Sequence, residues 1–185
     1  FDLYLRMIGE AVSEFRGEDT EGPVELRLEL PIEARIPESY IDSERLRLEA
    51  YQKLSAAATA QADDDAIDRV VEELTDRYGE PPVEVTGLVD VARLRRRAAQ
   101  SHLSDVVAMG KNLRIAPGSL PDSMQVRLKR LYPGAKVIGG ADALLVPLPA
   151  AGGELLEGSE LLAWVRRLLD ALFPLPKSED APADQ

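Results

Sequence analysis

The segment Asp65-Ala-Ile-Asp-Arg-Val-Val-Glu-Glu-Leu-Thr-Asp-Arg-Tyr-Gly-Glu-Pro-Pro82 is the most sharply punctuated part of the chain. Ile67, Val70, Val71, Leu74 and Tyr78 recur at i, i+3, i+4, i+7 and i+11, the spacing that puts apolar side chains on one stripe of an α-helix. Asp63, Asp64 and Asp65 lie where that helix begins, and carboxylates there suit the positive end of its dipole. Gly79 stops the helix and Pro81-Pro82 start the next, because glycine tolerates a left-handed cap and proline fits a first helical turn. Successive side chains turn by about 100°, so Arg69, Glu73, Asp76 and Arg77 all fall away from the stripe and form an exposed charged face. On periodicity alone this face is a pair of i,i+4 contacts, Arg69 with Glu73 and Glu73 with Arg77, each worth tenths of a kcal/mol.

Outward from this helix, Val83 to about Gln100 predicts a third one, with Val85, Leu88, Val89 and Ala92 inward and Arg93, Arg95, Arg96 and Arg97 crowding its last turns, where cations suit the dipole. Upstream, Asp42 or Ser43 caps a helix in which Leu46, Ala50 and Leu54 recur with Tyr51 beside them. Val24 to Leu30 alternates apolar and charged residues, a half-buried strand that Pro31 ends and that Ile32 to Ile36 extends. After Ser101 the texture changes. Leu103–Met109 and Leu113–Ile115 read as a hairpin around Gly110 to Asn112. Ser119 caps a helix striped by Leu120, Met124, Leu128 and Leu131, followed by strands at Lys136–Ile138 and Leu144–Leu148. A last helix, Ser159 to Phe173, turns Leu162, Val165, Leu169 and Leu172 inward. The fold class is therefore α+β, a single domain with a strand and three helices followed by a small sheet with two further helices. Its expected limits are 24–174. Residues 1–16, striped by Leu5, Ile8, Val12 and Phe15, form a helical tail of something preceding it; 17–23 is a linker, and 175–185 a polar, proline-bearing tail expected to be disordered.

With 185 residues, 45% of them hydrophobic, one such core is affordable. A formal charge of -11 opposes a polyphosphate backbone and favours a basic protein surface as partner. The absence of cysteine excludes disulfides, thiolate zinc sites and thiol nucleophiles, and agrees with a cytoplasmic address. No apolar run approaches the roughly 20 residues that span a bilayer, so no membrane partner is expected. A phosphate-binding loop needs G-x-x-x-x-G-K-[ST], and Gly110-Lys111-Asn112 lacks its upstream glycine and its hydroxyl, so no cofactor is expected within this chain.

Three patterns offer other chemistry. The Asp63-Asp64-Asp65 run could hold a divalent ion for a metal-dependent hydrolase, yet it lacks the glycine turn and distant bidentate glutamate of a calcium loop. Arg93, Arg96 and Arg97, with Arg95, could touch phosphates as a nucleic-acid module, but no aromatic interleaves them for base stacking. His102 stands alone, a polar residue at a helix end, and Trp164 falls between inward positions of the last helix, where packing competes with an interface role.

The order of phrases is more specific than any of these. Phe1-Asp2-Leu3-Tyr4, Leu30-Pro31 to Ile36-Pro37 with Tyr40-Ile41, and Glu44-Arg45-Leu46 to Tyr51-Gln52-Lys53-Leu54 come in that order. Glu73-Leu74-Thr75-Asp76-Arg77-Tyr78-Gly79-Glu80-Pro81-Pro82 and Val91-Ala92-Arg93-Leu94-Arg95 then follow. Together they resemble the transcription-repair coupling factors (Mfd). The resemblance implies the last domain of a multidomain, ATP-driven DNA translocase that acts on stalled RNA polymerase on double-stranded DNA and recruits the excision-repair protein UvrA. ATP and Mg would be bound by other parts of that parent. It also implies a domain without catalysis that packs on an N-terminal UvrB-like module and masks the UvrA surface. Its contact would be the Glu-x-x-Asp-Arg pattern, here Glu73, Asp76 and Arg77, with Arg69 beside them.

Overall fold

A computed structural model describes residues 25–176. The expected helical tail over 1–16, the linker over 17–23 and the tail from 177 onward lie outside the described residues. Strand β1 (Arg27–Glu29) is followed by helices α1 (Glu44–Ala57), α2 (Ala66–Tyr78) and α3 (Val83–Gln100). Then come β2 (Asp105–Met109), β3 (Asn112–Ala116), α4 (Asp122–Leu131), β4 (Lys136–Ile138), β5 (Ala143–Pro147), the short hairpin β6 (Ala150–Ala151) and β7 (Glu154–Leu155), and α5 (Gly158–Leu172). The main sheet has the order β1-β2-β3-β5-β4. β1 runs parallel to β2, and every other pair in it is antiparallel. The α+β class holds. The three helices form the crossover between the two parallel strands, a connection that hairpin-linked antiparallel neighbours do not need.

Two cores result, and α3 belongs to both. Val85, Leu88, Val89 and Ala92 on its first turns pack with Tyr51 and Leu54 of α1, Ile67, Val70 and Leu74 of α2, and Ile41. Leu94 and Ala98 further along pack against the sheet residues Val106, Ile115, Leu144 and Val146 and against Leu161, Val165 and Leu169 of α5. Each such leucine contributes about 1.5–3 kcal/mol by leaving water. The helical core is closed from outside by an irregular run. Ile36 donates its amide to the Tyr51 hydroxyl at 2.8 Å, and Ala34 and Ile36 are buried. This run crosses α3 so closely that a Cβ on Gly87 would sit 2.4 Å from the Glu33 carbonyl oxygen.

The structure also corrects several readings. Ile32 to Ile36 does not lengthen β1; Ile32 touches both cores, and Ala34 and Ile36 cover the helices. Ser43, not Asp42, caps α1, accepting from the Leu46 amide at 3.4 Å. Ser119 caps nothing: α4 begins after Pro121, and the Ser119 hydroxyl donates to Asp142 at 2.9 Å. Leu131, expected inward, is 44% exposed because α4 is short and only Leu128 reaches full burial. Trp164 packs edge-on against Tyr132, ring centroids 5.7 Å apart.

Candidate functional site

The charged face of α2 is positioned at both ends. At its C-terminus the Tyr40 hydroxyl donates, as a shared bond, to the carbonyls of Leu74 at 3.1 Å and Gly79 at 2.8 Å. The shared bond ties the irregular run after β1 to the end of α2. The Tyr40 ring meets that of Tyr78 edge-on at 5.8 Å, and the Arg77 guanidinium lies 5.1 Å from the centre of the Tyr78 ring. Partial burial pushes the Tyr40 phenol up. At the N-terminus Arg69 reaches back to Asp63 at 2.9 Å and Asp65 at 3.3 Å.

Between them, one oxygen of Glu73 accepts from Lys53 of α1 at 2.5 Å and from Arg77 at 3.4 Å. The hydrogen bond from Lys53 is the main reason that the Glu73 carboxyl titrates below the usual carboxylate range. Asp76 is exposed and makes no ion pair among the described residues. Glu73, Asp76 and Arg77 thus share one solvent face at the C-terminal half of α2, as the periodicity predicts. The expected Arg69–Glu73 pair is replaced. The aspartates before α2 capture Arg69, and a cation from the neighbouring helix takes its place at Glu73. Lys53 was the residue missed. Its signal was present in the heptad-like spacing of α1, where it flanks the buried Tyr51 and Leu54, but pairing across helices is not readable from one helix's period.

The arginines of α3 are structural ties. Arg93 binds Asp68 of α2 at 2.6 Å, and Arg96 binds Asp64 and the Ala62 carbonyl, both at 2.8 Å. Arg95 donates to the Leu26 carbonyl at 2.9 Å, and burial lowers its pKa to about 10. Arg97 is 2% exposed. It donates to Asp170 at 2.8 Å, to the carbonyls of Leu169 at 3.1 Å and Phe173 at 2.8 Å, and to Ser101. Its donors are spent on the end of α5, which removes Arg97 from any phosphate-binding set. The aspartate run is likewise engaged: Asp63 and Asp65 with Arg69, and Asp64 with Arg96. Among the described residues no cluster of three or more His, Cys, Asp or Glu is placed to hold a metal, and no helix is long and apolar enough to cross a membrane. A groove of about 530 Å³ between the two cores is lined mostly by aliphatic side chains, Leu28, Ile32, Leu88, Val91 and Leu148 among them.

Residues 30–125 match the TRCF domain family model. The chain is 41% identical, over 96% of its length, to proteins named transcription-repair-coupling factor in Mycobacterium tuberculosis and Mycobacterium bovis, and it spans 15% of theirs. A protein of that name from Staphylococcus aureus is 37% identical over 60% of this chain, which spans 9% of that relative. The fold matches the crystal structure of a C-terminal domain of transcription-repair coupling factor with a TM-score of 0.58 at 19% identity, covering 80% of this chain and 94% of that one. A TRCF-domain match over half the chain, near-complete alignment to the mycobacterial proteins and the shared fold lead to one conclusion: this chain belongs to the transcription-repair coupling factor family and has the fold of a C-terminal domain of such a factor.

Proposed function

We propose that this domain is a non-catalytic regulatory clamp within a larger ATP-dependent DNA translocase that removes stalled RNA polymerase and recruits nucleotide-excision repair. In this reading it packs on an N-terminal UvrB-like module of the same protein and masks the surface that UvrA uses. ATP and Mg²⁺ serve the motor part of the parent, as does double-stranded DNA, and none is needed here. The observation that carries the reading is the exposed Glu73–Asp76–Arg77 face, held rigid by Tyr40 and Lys53 yet contributing nothing to either core. A rigid face of mixed charge forms an interface that is specific and still breakable, because its hydrogen-bonded pairs can return to water. Such a clamp opposes the active state by its own binding free energy and by no more.

The test is the combined Glu73→Ala, Asp76→Ala and Arg77→Ala change. The isolated domain should keep its fold and lose less than about 1 kcal/mol, since exposed ion pairs contribute little. Its hold on the N-terminal module should weaken by about 2–5 kcal/mol where desolvated pairs are broken. In the parent, UvrA capture and ATP turnover should both rise. An intact fold with unchanged capture and turnover would return this face to an ordinary solvated helix surface.

A further inference from the structure

The candidate surface of α2 is acidic and basic by turns; the opposite texture lies in the second half of the chain. Between Asp122 and Asp142 stand Arg127, Lys129, Arg130 and Lys136 and no acidic residue, within a chain of net charge -11. All four are exposed, and none makes an ion pair among the described residues. The same stretch holds exposed aliphatics: Val126 is 68% exposed, Leu131 44%, Val137 41% and Ile138 37%. On α4 the buried Leu128 marks the core side, and Val126 falls on the opposite one with Lys129 and Arg130 at i+3 and i+4 around it. The turn from Tyr132 to Ala135 leads directly into β4, which is the last strand of the sheet on that side and has every residue exposed. Basic residues, exposed aliphatics and an open strand edge therefore follow one another within residues 126–138.

We propose that α4 and β4 together form a docking surface for an extended acidic segment of a partner protein, which adds to β4 as a further strand while its carboxylates meet Arg127, Lys129, Arg130 and Lys136. The edge of β4 supplies backbone donors and acceptors that a peptide can use, the aliphatics supply burial for its alternate side chains, and the cations select its charge. Nucleic acid fits less well. Val126 and Val137 offer a phosphate backbone nothing, and the nearby ring of Tyr132 is engaged with Trp164 rather than open to a base. A second copy of the chain would bring two unneutralised basic strips face to face.

The experiment uses the whole chain and a fluorescein-labelled peptide of alternating glutamate and valine, about eight residues long, enough to span an ordinary strand. Saturable, salt-sensitive binding is expected, with the largest amide shifts at Lys136, Val137 and Ile138 in NMR spectra. The double variant Arg127→Glu, Arg130→Glu, checked for an unchanged far-UV spectrum, should bind about tenfold more weakly or worse. A chain ending at Pro176 should bind as the full chain does. The proposal is overturned by equal binding of a lysine–valine peptide, by tighter binding of oligothymidylate, by self-association that shifts the β4 amides, or by unchanged affinity in the double variant. A marked gain in affinity on removing residues 177–185 would overturn it too, by making the chain's own tail the occupant.

Discussion

The helical lobe and the sheet lobe are held together by different means. In the sheet, backbone ladders link every strand to its neighbour, and side-chain polar bonds only supplement them, among them Arg114 with Asp105 at 2.9 Å, Ser104 with the Ala116 carbonyl at 3.2 Å, and Asp142 accepting from Gly118 and Ser119. In the helical lobe the Arg35 amide donates to the Glu84 carbonyl of α3 at 3.1 Å, and beyond that backbone bond register between segments falls largely to side chains. Tyr51 binds Ile36, Tyr40 binds the end of α2, Lys53 binds Glu73, Arg93 binds Asp68, and Arg96 binds Asp64. A ladder can be built from any alternating apolar sequence, whereas cross-helix ties require particular residues at particular positions. The lobe that depends on named polar side chains is also the lobe where the family phrases within the described residues fall.

Breaking the tie between the lobes should have the largest effect. Arg97→Ala would remove one donor each from the Leu169 and Phe173 carbonyls, which keep the Phe173 amide and the Ser101 hydroxyl, and would leave a void beside α5. The expected loss is about 3 kcal/mol, from the lost charge-assisted hydrogen bonds and the void left by a buried side chain; Asp170 itself is exposed and keeps Arg166. Trp164 is the chain's only tryptophan and lies in the sheet lobe, so its emission follows that lobe while far-UV circular dichroism follows both. The two melting curves should coincide in the parent sequence, because α3 serves both cores, and should shift together in the variant. Separate transitions would mean that the lobes are independent units.

A change confined to the helical side sharpens the contrast. Gly87→Ala places a methyl group against the Glu33 carbonyl and should cost about 2 kcal/mol by overpacking, measured by urea denaturation. A loss no larger than that of an exposed glycine such as Gly139 would show that the crossing segment yields freely.

The smallest effect is expected at Lys53. Glu73 titrates lower in the folded domain than in the unfolded chain, so its contribution is present above the unfolded pKa and fades as pH falls through the folded one. Both side chains are well exposed, which limits the contribution to below about 0.5 kcal/mol. Lys53→Met should therefore reduce stability slightly at neutral pH and flatten its decline in acid. An unchanged acid limb in chemical denaturation would show that the pair is idle.

Periodicity made the helices legible because each buries one stripe: the α2 positions Ile67, Val70 and Leu74 are buried as the spacing requires. The alternation of Leu26 and Leu28 with Glu25, Arg27 and Glu29 likewise predicts β1 correctly. What stayed hidden depended on partners distant in sequence. Nothing local distinguishes Arg97, which is buried, from Arg93, which is half-exposed; the difference is that α5 arrives beside one of them. Lys53 was unreadable for the same reason, and Ile32 to Ile36 looked like strand because apolar alternation serves equally to cover a helix pair. The β6–β7 hairpin, two residues a side, is too short to leave a pattern.

β1 and β2 lie side by side, yet all three helices separate them along the chain. Closing that long loop costs chain entropy before the short parallel pair gives anything back, so β1 should join the sheet late in folding, after the helices between the two strands have formed. It should also open before the central strands β2 and β3. In hydrogen exchange Leu28 should open well before Val106 or Ile115, and a mechanical load entering through Glu25 would peel this edge strand while the rest of the sheet stays whole.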